Sequence, residues 1–528
     1  MALQLREITL ELDQDESHLT IEIAKTLGLA IEEIADLSVV RISFDARRKP
    51  RILKVYTVRF TVGDEQALLK RHCRNQKLQP VEPQELPELR KVSNRQRVLV
   101  VGMGPAGLFA ALRLARQGVQ VSLVERGRRV ETRVRDVRRF WSAGELDAVS
   151  NVQFGEGGAG TFSDGKLTTR INHPWMRFVL QTLVEFGAPR EILVQARPHV
   201  GTDRLRLVLI NFRKELQRLG VDIHYESRLT GLSLRQGRVR AGILNDAGEI
   251  ACDNLVLAPG HSARDTYAML EQNGVALESK PFAVGVRVEH PAELINEIQF
   301  GHRRHPQLPT ADYALTYNDR QSDRGIYSFC MCPGGEVVNA ASEPGALVVN
   351  GMSSLARAGS MSNSALVVTV GQNDLPGDGA LEGVRFQQRW ERQAFRAGGG
   401  AFLAPAQNMM SFLGRGEGAV RSTCRPGVCE AELHETLPGF VVKGLRRALP
   451  HFDRRMRGFV TAEATLVGVE TRTSAPLRIR RNETGESVSH QGLFPCGEGA
   501  GYAGGIMSAA LDGLRTAGHI VEKTLQEK

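Results

Sequence analysis

Four groups of residues in this 528-residue chain have the types and spacing to do chemistry. Gly102, Gly104 and Gly107 form a GxGxxG turn directly after the apolar run Arg97–Val101. Five glycines, Gly155, Gly157, Gly158, Gly160 and Gly165, crowd the stretch NVQFGEGGAGTFSDGKLTT and lead into Lys166. Cys330 and Cys332 stand two apart in CMCPGG. Gly497-Glu498 precedes a further turn, Gly504-Gly505-Ile506, near the C-terminus. Glycine-rich turns let backbone N–H groups approach a phosphate, above all at a helix N-terminus. Thiols and a lysine near such a site suit nucleophilic, redox or charge-stabilising work. The question is which elements bring these groups together, and whether the glycine stretch is floppy or held against something.

The first turn has its context. RVLVV reads as a buried parallel strand, LFAALRLARQG as a helix and VQVSLVE as a second strand ending at Glu125, eighteen residues past Gly107. This is the strand-turn-helix-strand unit that the dinucleotide fingerprint requires. Gly102 permits the tight turn, Gly104 lets the backbone approach a pyrophosphate, and Gly107 lets helix and strand pack closely. Pro105 and Ala106 open the helix. Glu125 is placed to accept from the adenosine ribose hydroxyls and would repel a 2′-phosphate, so NADP is not expected here. Arg126 follows at the same strand end. An empty Rossmann fold is the alternative, and the complete unit argues against it.

Bulk properties frame the rest. Hydrophobic residues make up 42% and charged residues 24%, an ordinary globular balance. The start MALQLREITLELDQDE lacks the apolar core of a signal peptide, and no run has the length of a membrane span. Seven cysteines in such a length are no disulfide framework, so a cytoplasmic location is expected. A net charge of +9 admits an anionic partner or merely an arginine-rich surface.

Pattern divides the chain. Residues 1–80 read as a small α+β unit, with a ferredoxin-like arrangement expected; 81–95, marked by Pro83 and Pro87, read as a linker; 96–280 carry the dinucleotide unit and a β-meander ending at Ala258-Pro259-Gly260. Residues 281–460 read as an inserted mixed α+β cap, and 461–528 return to the nucleotide-binding domain. The fold class is therefore α/β, Rossmann-type.

The motifs GEGGAGTFSDGKL, APGHSARDTY, CMCPGG, GVETRTSAP and GEGAGYAGGI together resemble a bacterial family of uncharacterised FAD-dependent dehydrogenase-like proteins with a small N-terminal domain, built on the glutathione-reductase type of FAD fold. The resemblance implies FAD as cofactor and redox chemistry; the leading expectation is transfer of a hydride between flavin N5 and an unidentified organic substrate. It implies that Gly157, Gly158, Gly160 and Lys166 lie beneath the flavin and that Gly260 belongs to the third motif. It further implies that Glu498, longer than the usual Asp, reaches the ribityl chain. The helix after Gly504, Gly505 and Ile506 would aim its N-terminus at the isoalloxazine. No second Rossmann motif is visible, so NAD(P)H would bind as a co-substrate in another way.

Within the cap, Cys330 and Cys332 would share a strand face with their Cα atoms near the upper limit for a disulfide, so a redox pair would be strained. One would line the site while the other packs. His199, Cys330, Cys332 and Arg472 are the catalytic candidates. His261 and His290 are further acid–base candidates, Arg287 a further anion ligand, and a structural hydrogen bond is the plainer role for each histidine. Cys424 and Cys429 lack a second Cys/His pair at metal spacing, so no metal is expected. Cys496 reads as a small packed residue. Two other partners fit the charge. One is RNA, through Arg47-Arg48-Lys49 and the cluster RGRRVETRVRDVRR, although no RNA-binding motif is present. The other is a redox protein docking on a basic face.

Overall fold

A computed structural model describes residues 2–82, 86–92, 96–169 and 171–526. Part of the expected linker, 83–85 with Pro83 and 93–95, lies outside the described residues.

The N-terminal unit runs β1 (Ala2–Glu11), α1 (His18–Leu27), β2 (Ala35–Arg48), β3 (Arg51–Thr61), α2 (Glu65–Arg71) and β4 (Leu78–Val81). Its antiparallel sheet has the order β2-β3-β1-β4. Leu3, Leu5, Ile8 and Leu10 of β1 are buried; the alternation skips a residue at Glu7, where φ is 62° and the register slips. The unit is docked. The Ile42 N–H of edge strand β2 donates to the Val194 carbonyl at 2.7 Å, and Ala196 N–H returns a bond to Ile42 at 2.8 Å.

The nucleotide-binding unit contains β5 (Arg97–Val101), α3 (Pro105–Arg116), β6 (Gln120–Val124), α4 (Val130–Ala143), α5 (Trp175–Glu185), α6 (Gly201–Arg218), β7 (Asp222–His224), β8 (Leu229–Arg235), β9 (Arg238–Leu244), β10 (Gly248–Ala251), β11 (Asn254–Leu257) and α7 (Arg264–Gln272). Then come β12 (Leu277–Ser279), β13 (Phe282–Pro291), α8 (Ala292–Phe300), β14 (Thr316–Asp319), β15 (Arg324–Cys332), β16 (Glu336–Asn339), β17 (Val349–Met352), β18 (Met361–Val370), α9 (Glu382–Ala397), β19 (Ala404–Asn408), α10 (Met409–Leu413), β20 (Val428–Glu430), α11 (Gly439–Arg455) and β21 (Thr465–Glu470). The chain closes with β22 (Leu477–Ile479), β23 (Leu493–Pro495) and α12 (Ile506–Gln526).

Five parallel strands, β23-β11-β5-β6-β7, form the nucleotide sheet, and β8, β9 and β10 form the meander beside it. The C-terminal strand thus returns to the first sheet. α3 is alanine-rich, which lets α12 approach closely: a Cβ on Gly513 would come within 2.0 Å of the Ala106 carbonyl oxygen. Leu108, Leu112 and Leu114 of α3 are buried, each contributing roughly 1.5–3 kcal/mol.

The cap is a seven-stranded sheet, β14-β15-β18-β13-β21-β19-β20. β13, FAVGVRVEHP, is buried along nearly its whole length rather than on alternate residues. Both faces are covered, so its charged residues must be paired inside. β21 pairs with β13 and β19. The cap sheet therefore extends to residue 470, past the boundary at 460 that the sequence suggested, because β21 completes the cap sheet before the chain turns back.

Candidate active site

The GxGxxG turn is built as its glycines require. Gly102 has φ of 99°, and a Cβ there would meet the Ala258 oxygen at 2.2 Å; one on Gly107 would meet the Gly102 oxygen at 1.9 Å. A Cβ on Gly104 would meet nothing within 4 Å, so this glycine faces open space at the N-terminus of α3, with Pro105 at the first helical position. The cleft in front of it is walled by Val101, Gly104, Glu125, Phe154, Ala258 and Gly260. The Arg126 guanidinium walls it too, lying 4.0 Å from the Phe154 ring centroid and clamped on Asp265 by two 2.9 Å bonds.

Glu125 ties three loops together. Its carboxylate accepts from Met103, Gly127 and Gly155 N–H, each at 2.9 Å. The last of these begins the glycine stretch, which is held and not floppy. Gly157 N–H donates to the Met103 carbonyl at 2.9 Å. A Cβ on Gly158 would lie 3.1 Å from Gly104 Cα, and one on Gly160 would lie 3.5 Å from Ile506. The loop thus runs from the phosphate turn to the start of α12.

Its shape comes from a residue that the motif reading passed over. Arg133 of α4 is wholly buried and donates to the carbonyls of Asn151, Val152, Gly155 and Glu156. Glu156 in turn accepts from Val130 N–H, Arg213 and the Tyr225 hydroxyl. Arg133 sits in the arginine cluster read as RNA-binding. Within that cluster Arg126 is bonded to Asp265, Arg128 to Asp136, Asp147 and Glu226, and Arg133 to the loop, while Arg129, Arg135, Arg138 and Arg139 are exposed. Lys49 of the basic turn is likewise engaged, donating to the Ile298 carbonyl in the last turn of α8.

The loop delivers Lys166 to the cap. Buried Asp164 accepts from Lys166 at 2.7 Å, from Ser353 at 2.8 Å and from Arg357 at 2.9 Å. Burial works against the Asp164 charge, yet the two cations hold its carboxyl far below the usual range. Burial also works against the Lys166 ammonium; the Cys332 and Cys330 sulfurs and Asp164 more than offset it. His199 pairs with Lys166 through the backbone, and its Nε2 donates to the Leu355 carbonyl at 3.0 Å. Burial, then Arg357, shift that imidazole's pKa downward. Glu498, at the turn after β23, has its carboxyl pushed up to about 7 by burial, against the pull of Lys280, and feels the charge of Cys330. Gly497 before it has φ of 77°, and a Cβ there would strike Ala106 at 2.6 Å. Cβ atoms on Gly260, Gly504 and Gly505 would meet nothing within 4 Å.

Cys330 and Cys332 do not lie on the flat strand that the sequence suggested. The pairing of β15 with β18 slips between Phe329 and Cys332, and Cys330 takes φ of 45°. This is a bulge with a non-glycine residue in the left-handed region, a strained conformation seen chiefly where function or surroundings impose it. Both thiols are free. A hydrogen bond from the Cys332 thiol, helped by Lys166 and Arg287 against burial, draws the Cys330 thiol well below its ordinary value; Cys332 is pushed the other way.

Several candidates are diverted. Arg472 gives Nε and Nη2 to Glu391 and Nη1 to Ser342, all buried, so its charge is paired inside the protein. Arg287 is wholly buried between Glu470, Asn350, Asn363 and the Cys330 carbonyl, and so is no substrate ligand either. His290 is a core residue bonded to the Phe459 carbonyl at 2.7 Å, and His261 is bonded to the Arg472 carbonyl at 3.1 Å; burial lowers both to about 4. Cys496 packs at the start of the C-terminal turn, and Cys424 and Cys429 are unpaired. Among the described residues no cluster of three or more His, Cys, Asp or Glu could hold a metal, and no helix is long and apolar enough to cross a membrane.

The arrangement is that of a dinucleotide-binding α/β protein, and the comparisons specify the dinucleotide. An FAD binding domain model matches residues 95–138, a model described as FAD-dependent protein, C-terminal domain-like, matches 281–473, and a domain of unknown function matches 2–61. An uncharacterised protein of Clostridium beijerinckii is 46% identical over 534 aligned residues, spanning 99% of both chains. The chain belongs to that protein's family, one of FAD-dependent proteins, and FAD is its cofactor. Solved structures of lower likeness include a glycine oxidase from Bacillus cereus (12% identical, TM-score 0.33, 81% of this chain and 96% of that one). A flavin-dependent brominase is 13% identical with TM-score 0.38, over 82% of this chain and 80% of that one. The residues present fit the cofactor: open space fronts Gly104, Gly260, Gly504 and Gly505 where a side chain would intrude, while the neighbouring glycines are closed by packing.

Proposed function

We propose that this protein is an FAD-dependent oxidoreductase acting on a small organic substrate that enters under the cap. Gly102, Gly104, Pro105, Ala106 and Gly107 would hold the pyrophosphate at the α3 N-terminus, with Glu125 and Arg126 at the adenosine end and Gly260 beside it. Gly157, Gly158, Gly160, Lys166, Gly497, Glu498, Gly504, Gly505 and Ile506 would surround the flavin end. Bound there, FAD supplies a two-electron acceptor and donor at flavin N5.

The protein supplies charge, protons and exclusion of water. Lys166 places a cation where reduction leaves negative charge. Glu498, titrating near neutrality, holds or releases a proton at its carboxylate under working conditions. His199, fixed by the bond from its Nε2 to the Leu355 carbonyl, would offer Nδ1 as an acceptor in its neutral form. The segment 353–357, bonded to Asp164 and to α6, closes the cap over Lys166. The N-terminal unit, read as ferredoxin-like from its strand order, braces residues 194–196 just ahead of His199.

The observation that carries this reading is the path of the glycine loop from the phosphate turn to the start of α12: Gly157 N–H donates to the Met103 carbonyl at 2.9 Å, a Cβ on Gly158 would lie 3.1 Å from Gly104 Cα, and one on Gly160 would lie 3.5 Å from Ile506. The test is anaerobic reduction of the FAD-loaded protein by NADH, NADPH and dithiothreitol, wild type beside Lys166→Met. At least one donor should bleach the flavin band, more slowly in the variant although FAD is retained. An unaltered rate with every donor would remove Lys166 from the reacting end.

A further inference from the structure

The bulge at Cys330 is the strongest feature that the reading above leaves unused. A non-glycine residue at φ of 45° is in a strained conformation, and here it is held by a dedicated support. Arg287, wholly buried, donates from Nη1 to the Cys330 carbonyl at 2.8 Å and to Asn363 at 3.1 Å, while Glu470 and Asn350 take its other donors. The bulge folds the CMC segment back on itself, so that the Cys332 thiol donates to the Cys330 carbonyl oxygen at 3.4 Å. Two glycines keep the space around Cys332. A Cβ on Gly351 would come within 3.0 Å of its sulfur, and one on Gly335 within 3.2 Å of its Cβ. The pair is asymmetric: Cys332 is 0% exposed, while Cys330 is half-buried and sits among Lys166, Arg287 and Glu498.

Resting on the FAD oxidoreductase reading, we infer that Cys330 and Cys332 form a reversible dithiol–disulfide couple that exchanges two electrons with the FAD and, through the Cys330 sulfur, with an external disulfide. The Cys330 thiolate attacks one sulfur of that disulfide; its S–S bond breaks and one thiolate leaves, taking up a proton. Cys332 then gives up its proton and attacks the Cys330 sulfur. The intramolecular S–S bond forms and the second external thiol departs. The dithiol has been oxidised by two electrons and the external disulfide reduced by two. Two electrons and two protons from reduced FAD reopen the Cys330–Cys332 bond and restore the dithiol. Lys166 and Arg287 favour the Cys330 thiolate, and the buried Cys332 acts as the resolving thiol.

The test is a reductive titration with dithionite under nitrogen. FAD-loaded protein is first treated with 2-hydroxyethyl disulfide and freed of excess reagent. Wild type should take up twice the reducing equivalents per FAD that the flavin alone requires, and Cys330→Ser and Cys332→Ser only the flavin's share. Differential alkylation of the same wild-type samples needs no variant. Peptides holding Cys330 and Cys332 should resist iodoacetamide before reduction and accept it afterwards, while those holding Cys424 and Cys429 react the same way at both stages. Uptake of the flavin's share alone by wild type, with Cys330 and Cys332 alkylated throughout, would overturn the couple and leave the flavoenzyme reading standing. Protein that carries no FAD, or whose flavin fails to bleach, would overturn both.

Discussion

Arg287 and Cys330, forty-three residues apart, are joined by a 2.8 Å hydrogen bond from the buried guanidinium to the carbonyl of the bulged cysteine. The arginine serves as a positioning residue: it holds the backbone that aims a thiol. Its own charge is balanced by Glu470, whose carboxylate it meets through Nε and Nη2.

Arg287→Met should therefore leave Glu470 as an uncompensated buried carboxylate and free the bulge. Breaking one side of such a pair costs about 3–5 kcal/mol. Calorimetry should show the first thermal transition falling steeply, with Glu470→Gln in the same background recovering part of it. A loss below about 1 kcal/mol would mean that the pair does not hold the cap together.

Arg133→Ala removes a donor from four buried carbonyls of the glycine loop; Gly155 and Glu156 keep bonds from Gly158 N–H and Thr161 Oγ1, while Asn151 and Val152 lose theirs. Each orphaned acceptor costs about 1–3 kcal/mol. The variant should come off purification with little flavin. Full FAD content at wild-type affinity would show that the loop keeps its shape without this side chain.

Gly158→Ala places a methyl 3.1 Å from Gly104 Cα at a φ of 64°. FAD affinity should fall about tenfold or more, corresponding to about 1.4 kcal/mol. Gly237→Ala has a similar φ of 73° but open space, and is the control for strain alone. Equal affinities in the two variants would count against the loop as a cofactor wall.

Cys330 should be the fast-reacting thiol near neutral pH. Its pKa is drawn down first by the Cys332 hydrogen bond, then by Lys166 and Arg287, so its alkylation rate should climb at lower pH than that of an ordinary thiol. Cys332→Ala and Lys166→Met should each move the profile upward in pH. Mass spectrometry that resolves the Cys330 peptide reads this directly, and an unmoved profile in both variants would refute the assigned causes.

Glu498 gives a stability prediction for FAD-stripped protein. Its folded pKa, about 7, lies above the ordinary value of 4.5, so the native state binds its proton more tightly than the unfolded chain. That contribution is whole below about pH 4.5 and is lost as pH rises through about 7. Relative to Glu498→Gln, wild type should lose melting temperature across that window and run parallel above it. A constant difference from pH 4 to 8 would be incompatible with a raised pKa.

The nucleotide turn, the meander and the Gly497-Glu498 return were legible in the sequence because strand period, turn glycines and a capped helix are local signals. The cap was legible as a region but not in extent, since β21 belongs to it only through pairing with β13, far away in sequence. The bulge was not legible. CMC reads as an ordinary alternating strand, and only pairing with β18 and support from Arg287 bend it. Arg133, Arg287 and Arg472 looked like surface or ligand-binding cations. Burial against Glu156, Glu470 and Glu391 comes from long-range packing that composition cannot show. His290 looked like an acid–base candidate for the same reason, and the cap core claimed it.

The most direct measurement is a crystal structure of the FAD-loaded protein. The pyrophosphate is expected at the Pro105 end of α3, with an isoalloxazine ring bounded by Gly157–Gly160 on one side and by Cys330 and Lys166 on the other. A ring whose neighbours include neither Cys330 nor Lys166 would contradict this placement.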